Sequence, residues 1–322
     1  MKVVVVGSKG TLGLALSQFW NDPRVASRIA ASSGGDVKPT NDVVVPLNLP
    51  DFDICSRTHA IHTIGDLRPD VIVNASGINL IDWLESRPNT ARNVHGHGVS
   101  NLKTAARQTG ALLVQFGCGE AFYRKRLSAE STDDPEAISP DAPGFSETEL
   151  TYPASVYAKT KLESERIAQE APKSLVLRFS SLFGETSEYS SGNLVNTLFN
   201  SLARTKKISV LNDRVIEPLW TIDVLCALKT LIAANARGVY HLTGNSRTTP
   251  KELAEYFFKR CGYRDREVVG ISSEEYGVTA PQSAFTVLRS VKYDSVEGAY
   301  KIPDWKTALS DYLDWRQSHL IF

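Results

Sequence analysis

Short, nearly continuous apolar runs alternate with helix-like segments through the first half of the chain. The apolar runs predict strands over residues 2–6, 42–46, 70–75, 111–116 and 174–178. The segments between them predict helices over 11–20, 55–66, 98–108 and 154–170. Such alternation, with strands apolar on both faces, is typical of a parallel sheet covered by helices on both sides. The first half is therefore predicted to be an α/β fold, a Rossmann-type doubly wound parallel sheet.

Two stretches interrupt this alternation, which weakens after about residue 180. Residues 21–41 are expected to form a loop or a short extra element, and the polar, proline-rich residues 123–150 a long surface loop. In the second half, strands are predicted over 208–211 and 238–242, and helices over 191–204, 250–261 and 304–318. We therefore expect two domains, 1–180 and 181–322, the second a smaller α/β domain partly interleaved with the first.

Composition and charge exclude several classes of function. The 36 basic residues equal the 36 acidic residues, so no excess positive charge is available for binding nucleic acid. No apolar run approaches the roughly 18 residues of a membrane span. The apolar run at the N-terminus enters glycines at once, which indicates a first strand rather than a signal peptide. Four scattered cysteines without a C-x-x-C pair argue against a disulfide framework or a metal site and favour the cytoplasm.

The first strand leads directly into a glycine loop, residues 7–13, with glycines at 7, 10 and 13. Glycines between a strand and a helix allow backbone N–H groups to approach a pyrophosphate, so the loop predicts a dinucleotide site. The second strand ends at Asn48 without the carboxylate that binds the ribose of NAD, and Lys9 could meet a 2′-phosphate. This favours NADP over NAD, although Lys9 could equally point to solvent. Asp53 is a candidate for the adenine end.

Tyr157 and Lys161 form a Y-x-x-x-K motif on a predicted helix. The i, i+4 spacing places both side chains on one face. A free phenol has a pKa near ~10, which is too high for proton transfer at neutral pH. We expect the nearby ammonium to lower the pKa of Tyr157, making the pair an acid–base unit.

With these motifs in place, the chain resembles the extended short-chain dehydrogenase/reductases and is most similar to the dTDP-4-dehydrorhamnose reductase family. The resemblance covers nearly the whole chain, and its motifs occur in the family's order. They are the glycine loop, residues 68–75 (RPDVIVNA), Asp82 with Glu85, Val156-Tyr157 with Lys161, Asn212-Asp213 with Pro218, residues 238–242 (GVYHL) and residues 302–309 (IPDWKTAL).

The resemblance implies reduction of a 4-keto nucleotide sugar by NAD(P)H, with the cofactor on residues 1–180 and the substrate on 181–322. Tyr157 would give a proton to the oxygen that forms at the keto carbon, Lys161 would bind the nicotinamide ribose, and Cys118 would touch the same oxygen. A homodimer is compatible with the family. Expected cofactor contacts are Gly7, Lys9, Gly10, Thr11, Leu12, Gly13, Asp53, Asn74, Ala75 and Lys161; expected substrate contacts are Glu120, Asn193 and Arg214.

Several positions depart from the family pattern. Cys118 stands where the family has a serine or threonine hydroxyl, and a thiol is a weaker hydrogen-bond donor. An ungapped count places His95 where the family has a proton-relay asparagine. His95 and His97 could form a relay or a metal pair, although two helix histidines are more often surface or hydrogen-bonded groups. Ser181 replaces a tryptophan, and Arg214 replaces a glutamine.

Two alternatives remain open from the sequence. Residues 118–122 (CGEAF) also resemble a motif of nucleotide-sugar 4,6-dehydratases, in which Glu120 would remove the C5 proton, although that family's acid is Gly119 here. An epimerase or a dehydratase would hold NAD tightly. The other alternative is a non-catalytic nucleotide-binding subunit, such as the regulatory subunit of methionine adenosyltransferase.

Overall fold

The computed structural model describes residues 1–34, 39–127, 137–190, 192–202 and 204–319. Its strands are β1 (Lys2–Val6), β2 (Val43–Leu47), β3 (Val71–Asn74), β4 (Leu112–Cys118), β5 (Arg126–Leu127), β6 (Ala137–Ile138), β7 (Ser174–Phe179), β8 (Ser181–Phe183), β9 (Lys207–Leu211), β10 (Pro218–Trp220), β11 (Gly238–His241) and β12 (Glu267–Ile271).

The α-helices are α1 (Thr11–Phe19), α2 (Pro23–Ser33), α3 (Arg57–Leu67), α4 (Ile81–Glu85), α5 (Pro88–Arg92), α6 (Val99–Thr109), α7 (Val156–Gln169), α8 (Leu194–Ser201), α9 (Thr221–Ala233), α10 (Pro250–Arg260), α11 (Ser273–Tyr276) and α12 (Trp305–His319). A π-helix spans Asn93–Gly98, and 3₁₀ turns span Gly119–Ala121 and Tyr293–Ser295.

Six parallel strands form the central sheet in the order β11-β7-β4-β3-β1-β2. The strand order reverses between β1 and β3, since β2 lies on one side of β1 and the later strands lie on the other. In open α/β sheets, ligands bind at such a switch point, outside the carboxyl ends of the strands. The Rossmann-type, doubly wound sheet expected from the sequence is confirmed.

Apolar helix faces cover both sides of this sheet. On one side, α3 and α6 pack through Ile64 and Leu102 against inner residues such as Ile72. On the other, α1 packs through Leu16 against alternate strand residues such as Val5, and α9 contacts α1 and α2. The valines of β1 are fully buried, which explains why β1 is continuously apolar.

Elements from beyond residue 180 contribute to both parts of the fold. β11 completes the central sheet and α9 covers it. The remaining strands form two-stranded parallel pairs, β8 with β10 and β9 with β12, flanked by α8, α10 and α12. A domain division at residue 180 stays a prediction.

The two stretches that interrupt the alternation both contain regular secondary structure, and the first forms a short extra element, one of the two forms expected for it. Residues 23–33 form α2, which begins at Pro23 after the capping side chain of Asp22 and buries Ile29. The stretch 123–150 contains the short pair β5 and β6, and its residues 128–136 lie outside the described part. Within the part of the chain that the structure describes, every helix is too short or too polar to cross a lipid bilayer.

Candidate active site

A cleft of about 410 Å³ opens at the carboxyl ends of β1, β3, β4 and β7. Residues from the loops that follow these strands line it, together with the first turns of α1 and α7. Of the residues predicted from the sequence, Gly10, Thr11, Leu12, Asn74, Ala75, Cys118, Glu120, Tyr157, Lys161 and Asn193 line this cleft. Five others do not line it: Gly7, Lys9, Gly13, Asp53 and Arg214.

The three glycines of the glycine loop have different structural roles. Gly7 has a φ of +79°, and a Cβ there would lie 2.5 Å from the backbone nitrogen of Ser76. A Cβ on Gly13 would collide with the carbonyl oxygen of Gly7. Gly10 has an ordinary φ of −74°, and the nearest atom to its Cβ would be 3.4 Å away. Gly7 and Gly13 therefore shape the loop, whereas Gly10 keeps the cleft clear of a side chain.

Lys9 and Asp53 are engaged with the protein itself. The Lys9 ammonium lies 4.2 Å from the centroid of the Tyr189 ring, and the Lys9 carbonyl accepts a hydrogen bond from Ser187. Asp53 accepts a hydrogen bond of 2.8 Å from the backbone nitrogen of Cys55. The contacts of these two residues with a nucleotide stay predictions.

Two caps hold the first turn of α7, which carries Tyr157. The Ser155 hydroxyl accepts a hydrogen bond from the backbone nitrogen of Ala158, and the Glu85 carboxylate accepts one of 2.8 Å from Val156. Glu85 comes from α4, so this contact also ties α7 to α4. The caps therefore fix where Tyr157 enters the cleft.

Lys161 is directed toward β4 rather than toward the phenol. Its ammonium donates a hydrogen bond of 2.6 Å to the carbonyl oxygen of Phe116. Burial lowers the pKa of Lys161, and the neighbouring Cys118 and Glu165 oppose this shift. The side chain is only 9% exposed, so its charge is held by these few polar groups.

The expectation that the pKa of Tyr157 is lowered is wrong for this structure. Burial raises the pKa of Tyr157 well above its usual value, and Cys118 and Glu120 raise it further, partly through a hydrogen bond with Cys118. The physical reason is that the desolvated phenol has a thiol and a carboxyl as neighbours, while the ammonium of Lys161 is bound to Phe116. The phenol therefore keeps its proton at neutral pH.

Cys118 ends β4, lines the cleft and is 6% exposed. Burial raises the pKa of its thiol to about 12, so the group is a neutral S–H at physiological pH. A neutral thiol can donate a weak hydrogen bond but is not an activated nucleophile.

Glu120 stands on the 3₁₀ turn that follows β4. Its carboxylate accepts a hydrogen bond of 2.8 Å from the backbone nitrogen of Ser283, and burial raises its pKa to about 7. Arg214 opposes that rise, but its guanidinium donates to Gln282 and Ser273 and does not line the cleft. A substrate contact for Arg214 stays a prediction.

Asn193 lines the cleft while its side chain caps α8. Its carbonyl oxygen accepts a hydrogen bond from the backbone nitrogen of Asn196, and its amide donates to the carbonyl oxygen of Gly184.

Sequence reasoning missed the segments that complete the cleft. The loop of residues 75–80, here the β3–α4 loop, lines it through Ser76 and Ile78, and Tyr189 and Ser190 line it near the glycine loop. Ser190 shares a hydrogen bond of 2.7 Å with Thr11. A usable signal was present for the first segment, because it directly follows a strand predicted beside the glycine strand.

The two histidines considered as a pair, His95 and His97, lie in different environments. His95 is 2% exposed and lines the cleft, whereas His97 is exposed. Over the residues with described positions, no group of three or more His, Cys, Asp or Glu side chains is arranged to hold a metal ion.

Comparisons with known proteins find relatives that match nearly the whole chain. The model of the family described as "RmlD substrate binding domain" matches residues 1–318. The spore coat polysaccharide biosynthesis protein SpsK of Bacillus subtilis is 24% identical over 98% of each chain. A dTDP-4-dehydrorhamnose reductase of Sinorhizobium fredii is 26% identical over 95% of this chain and 94% of its own.

A solved structure with the same fold is the dTDP-4-dehydrorhamnose reductase of Bacillus anthracis in complex with NADP. It has a TM-score of 0.81 and 20% identity, and the match covers 98% of this chain and 99% of that one.

We expect Glu120→Gln to stabilise the protein increasingly as the pH rises. Because the pKa of Glu120 is raised from 4.5 to about 7, the folded state binds more protons than the unfolded state between these values. Wild-type stability therefore falls as the pH rises through this window, and a neutral amide removes that loss. Melting temperatures at pH 5 and pH 8 measure the effect.

The exposed Glu163→Gln, which also removes one carboxylate, is the control for net charge. If the advantage of Glu120→Gln over wild type does not grow between the two pH values, Glu120 has an ordinary pKa and is not desolvated.

Proposed function

The chain belongs to the RmlD substrate binding domain family, and from this premise we propose that it is an NAD(P)H-dependent reductase of a 4-keto nucleotide sugar. The observation that carries the proposal is the convergence of Tyr157, Lys161 and Cys118 with residues 10–12 in one cleft at the switch point of the sheet. The cleft therefore combines a proton donor with a pyrophosphate site.

The glycine loop and the β3–α4 loop fit a nicotinamide dinucleotide. Gly10 leaves space beside the N-terminus of α1, where backbone N–H groups and the helix dipole favour a pyrophosphate. Asn74 and Ala75 line the next part of the cleft. NADP is favoured over NAD because β2 ends without an acid, and the Bacillus anthracis relative was solved with NADP.

The protonation states of the side chains that line the cleft suit the reduction of a keto group. A bound NAD(P)H supplies the hydride. Tyr157 holds its proton at neutral pH and can donate it to the oxygen that develops at the keto carbon. Cys118, next to the phenol, can donate a weaker hydrogen bond to the same oxygen. The buried Lys161 lies one helical turn from Tyr157 and can bind the nicotinamide ribose.

Glu120 and Asn193 line the cleft and are proposed to face the sugar nucleotide, with the positive charge of Arg214 acting on Glu120. We further propose that the enzyme works in the cytoplasm, in keeping with its four unpaired cysteines. A homodimer stays a prediction from the family resemblance.

A 4,6-dehydratase is the second candidate, because Glu120 lines the cleft with a pKa raised to about 7 and could act as a base. A dehydratase or an epimerase must first oxidise its substrate, for which a protonated Tyr157 is the wrong starting state. Their tightly held NAD would copurify with the protein, whereas a reductase binds fresh NADPH. The intact pair of Tyr157 and Lys161 argues against a non-catalytic subunit.

Tyr157→Phe is expected to lower kcat by about 10²–10⁴-fold, the usual contribution of a general acid, while NADPH affinity stays nearly unchanged. Turnover is measured as NADPH oxidation with dTDP-4-dehydrorhamnose, and affinity by NADPH fluorescence. Tyr152→Phe makes the same chemical change at a side chain that is 74% exposed, and it serves as the control. Full turnover by Tyr157→Phe would contradict the proposed mechanism.

Cys118 variants test whether its thiol contacts the reacting oxygen. Cys118→Ser should keep or raise kcat, since a hydroxyl is the better donor, and Cys118→Ala should lower it by up to ~10²-fold. Cys226→Ala removes another buried thiol far along the chain and should affect the melting temperature only. Near-wild-type turnover of both the serine and the alanine variants would show that Cys118 only fills space, whereas loss of turnover in both would show that the thiol has a role that a hydroxyl cannot replace.

A further inference from the structure

We propose that His95 is a positioning residue, which fixes Tyr157 on α7 relative to the β3–α4 loop that also lines the cleft. The proposal rests on the proposed reductase function, in which Tyr157 is the proton donor. His95 takes no part in the reaction itself. It connects two segments that line the active-site cleft.

The position of His95 is the first observation. It lies in the π-helix Asn93–Gly98, and helices of this type are frequent at functional sites. The side chain is 2% exposed and lines the cleft. His97, two residues further along the same π-helix, is exposed. The π-helix thus directs one histidine inward and the other outward.

The hydrogen bonds of His95 determine its tautomer. Its Nε2 lies 3.1 Å from the backbone nitrogen of Ile78, which can only donate, so Nε2 carries no proton. Nδ1 must then carry the proton, and it donates to the Thr160 hydroxyl at 2.9 Å. Thr160 in turn donates to the carbonyl oxygen of Val156. Each group in this chain of hydrogen bonds therefore has one fixed role toward its neighbour, as donor or as acceptor.

Burial and the nearby charge of Lys161 lower the pKa of His95 to about 3. The imidazole is therefore neutral throughout the neutral pH range, and both hydrogen bonds persist there. A protonated ring would place an N–H against the N–H of Ile78 and break the first bond.

The two partners of His95 belong to two different segments of the site. Ile78 is part of the β3–α4 loop, and Thr160 lies on α7 between Tyr157 and Lys161. The imidazole also meets the Tyr157 ring edge-on, with centroids 5.9 Å apart and an interplanar angle of 79°. The His95 side chain therefore fixes the positions of both the β3–α4 loop and the Tyr157 ring.

Gly77 gives independent support for this close fit. Its φ is +156°, and a Cβ there would lie 3.4 Å from Nε2 of His95. The loop backbone thus passes directly beside the imidazole. A displacement of a proton donor by about 1 Å can lower the rate by 10²-fold, so loss of this bridge should appear in catalysis.

Three substitutions separate the two hydrogen bonds. Asn can replace the Nδ1 donor to Thr160, Gln can replace the Nε2 acceptor for Ile78, and Phe keeps the ring but removes both bonds. We expect His95→Phe to lower kcat about 10–100-fold and to raise the KM for NADPH. His95→Asn should recover most of kcat, whereas His95→Gln should recover most of the NADPH affinity.

Thr160→Val removes the acceptor and should lower kcat about as much as His95→Gln, with no further loss when it is combined with His95→Phe. His97→Phe is the control on the same π-helix and should leave kcat and KM unchanged. The proposal is overturned if His95→Phe keeps wild-type kcat and KM. It is also overturned if the Asn and Gln variants rescue neither parameter.

Nitrogen-15 NMR of wild-type His95 tests the proposal without any substitution. The expected signature is a neutral ring protonated at Nδ1 from pH 8 down to pH 5.5. A charged ring or the Nε2–H tautomer would overturn the proposal. The NMR signature and the NADPH affinity do not need turnover, so they test His95 even if the protein fails to reduce dTDP-4-dehydrorhamnose, which would count against the proposed function alone.

Discussion

The adjacent carboxyl ends of β1, β3 and β4 are the constraint on which the rest of the site depends. Parallel strands end at the same edge of a sheet, and the reversal of strand order between β1 and β3 opens a crevice there. The glycine loop follows β1, the β3–α4 loop follows β3, and Cys118 ends β4 with Glu120 on the turn after it. Three short segments, far apart in sequence, are thereby brought into one cleft. α7 then only has to be held against β4 to add Tyr157, and the bond from Lys161 to Phe116 helps to hold it there.

Desolvation determines which chemistry this cleft can perform. It raises the pKa of Tyr157, Cys118 and Glu120 and lowers that of Lys161 and His95, so each group is shifted toward its neutral form. A protonated phenol and a neutral thiol are hydrogen-bond donors that suit an oxygen gaining negative charge. The same burial keeps His95 neutral, and the neutral ring connects the β3–α4 loop to α7 with hydrogen bonds of fixed direction.

The sequence was most informative where one local rule decided the structure. The buried strands were predicted because β1 and β3 are apolar on both faces, and Tyr157 and Lys161 were predicted because helical spacing puts both on one face in a chain that also carries the glycine loop. Long-range contacts were not accessible in this way. The pKa of Tyr157 depends on Cys118 and Glu120, which lie about forty residues earlier in the chain, and on the bond that turns Lys161 toward Phe116. The contact of Lys9 with Tyr189 depends on a loop 180 residues away.

Transfer of deuterium from NADPH that carries deuterium at both C4 positions tests the central claim most directly. The protein is incubated with labelled NADPH and dTDP-4-dehydrorhamnose, and the product is examined by mass spectrometry and NMR. The account predicts one deuterium at the former keto carbon of the sugar for each NADPH oxidised. A product without deuterium, or conversion of the sugar with tightly bound NAD and no net oxidation of NADPH, would contradict it.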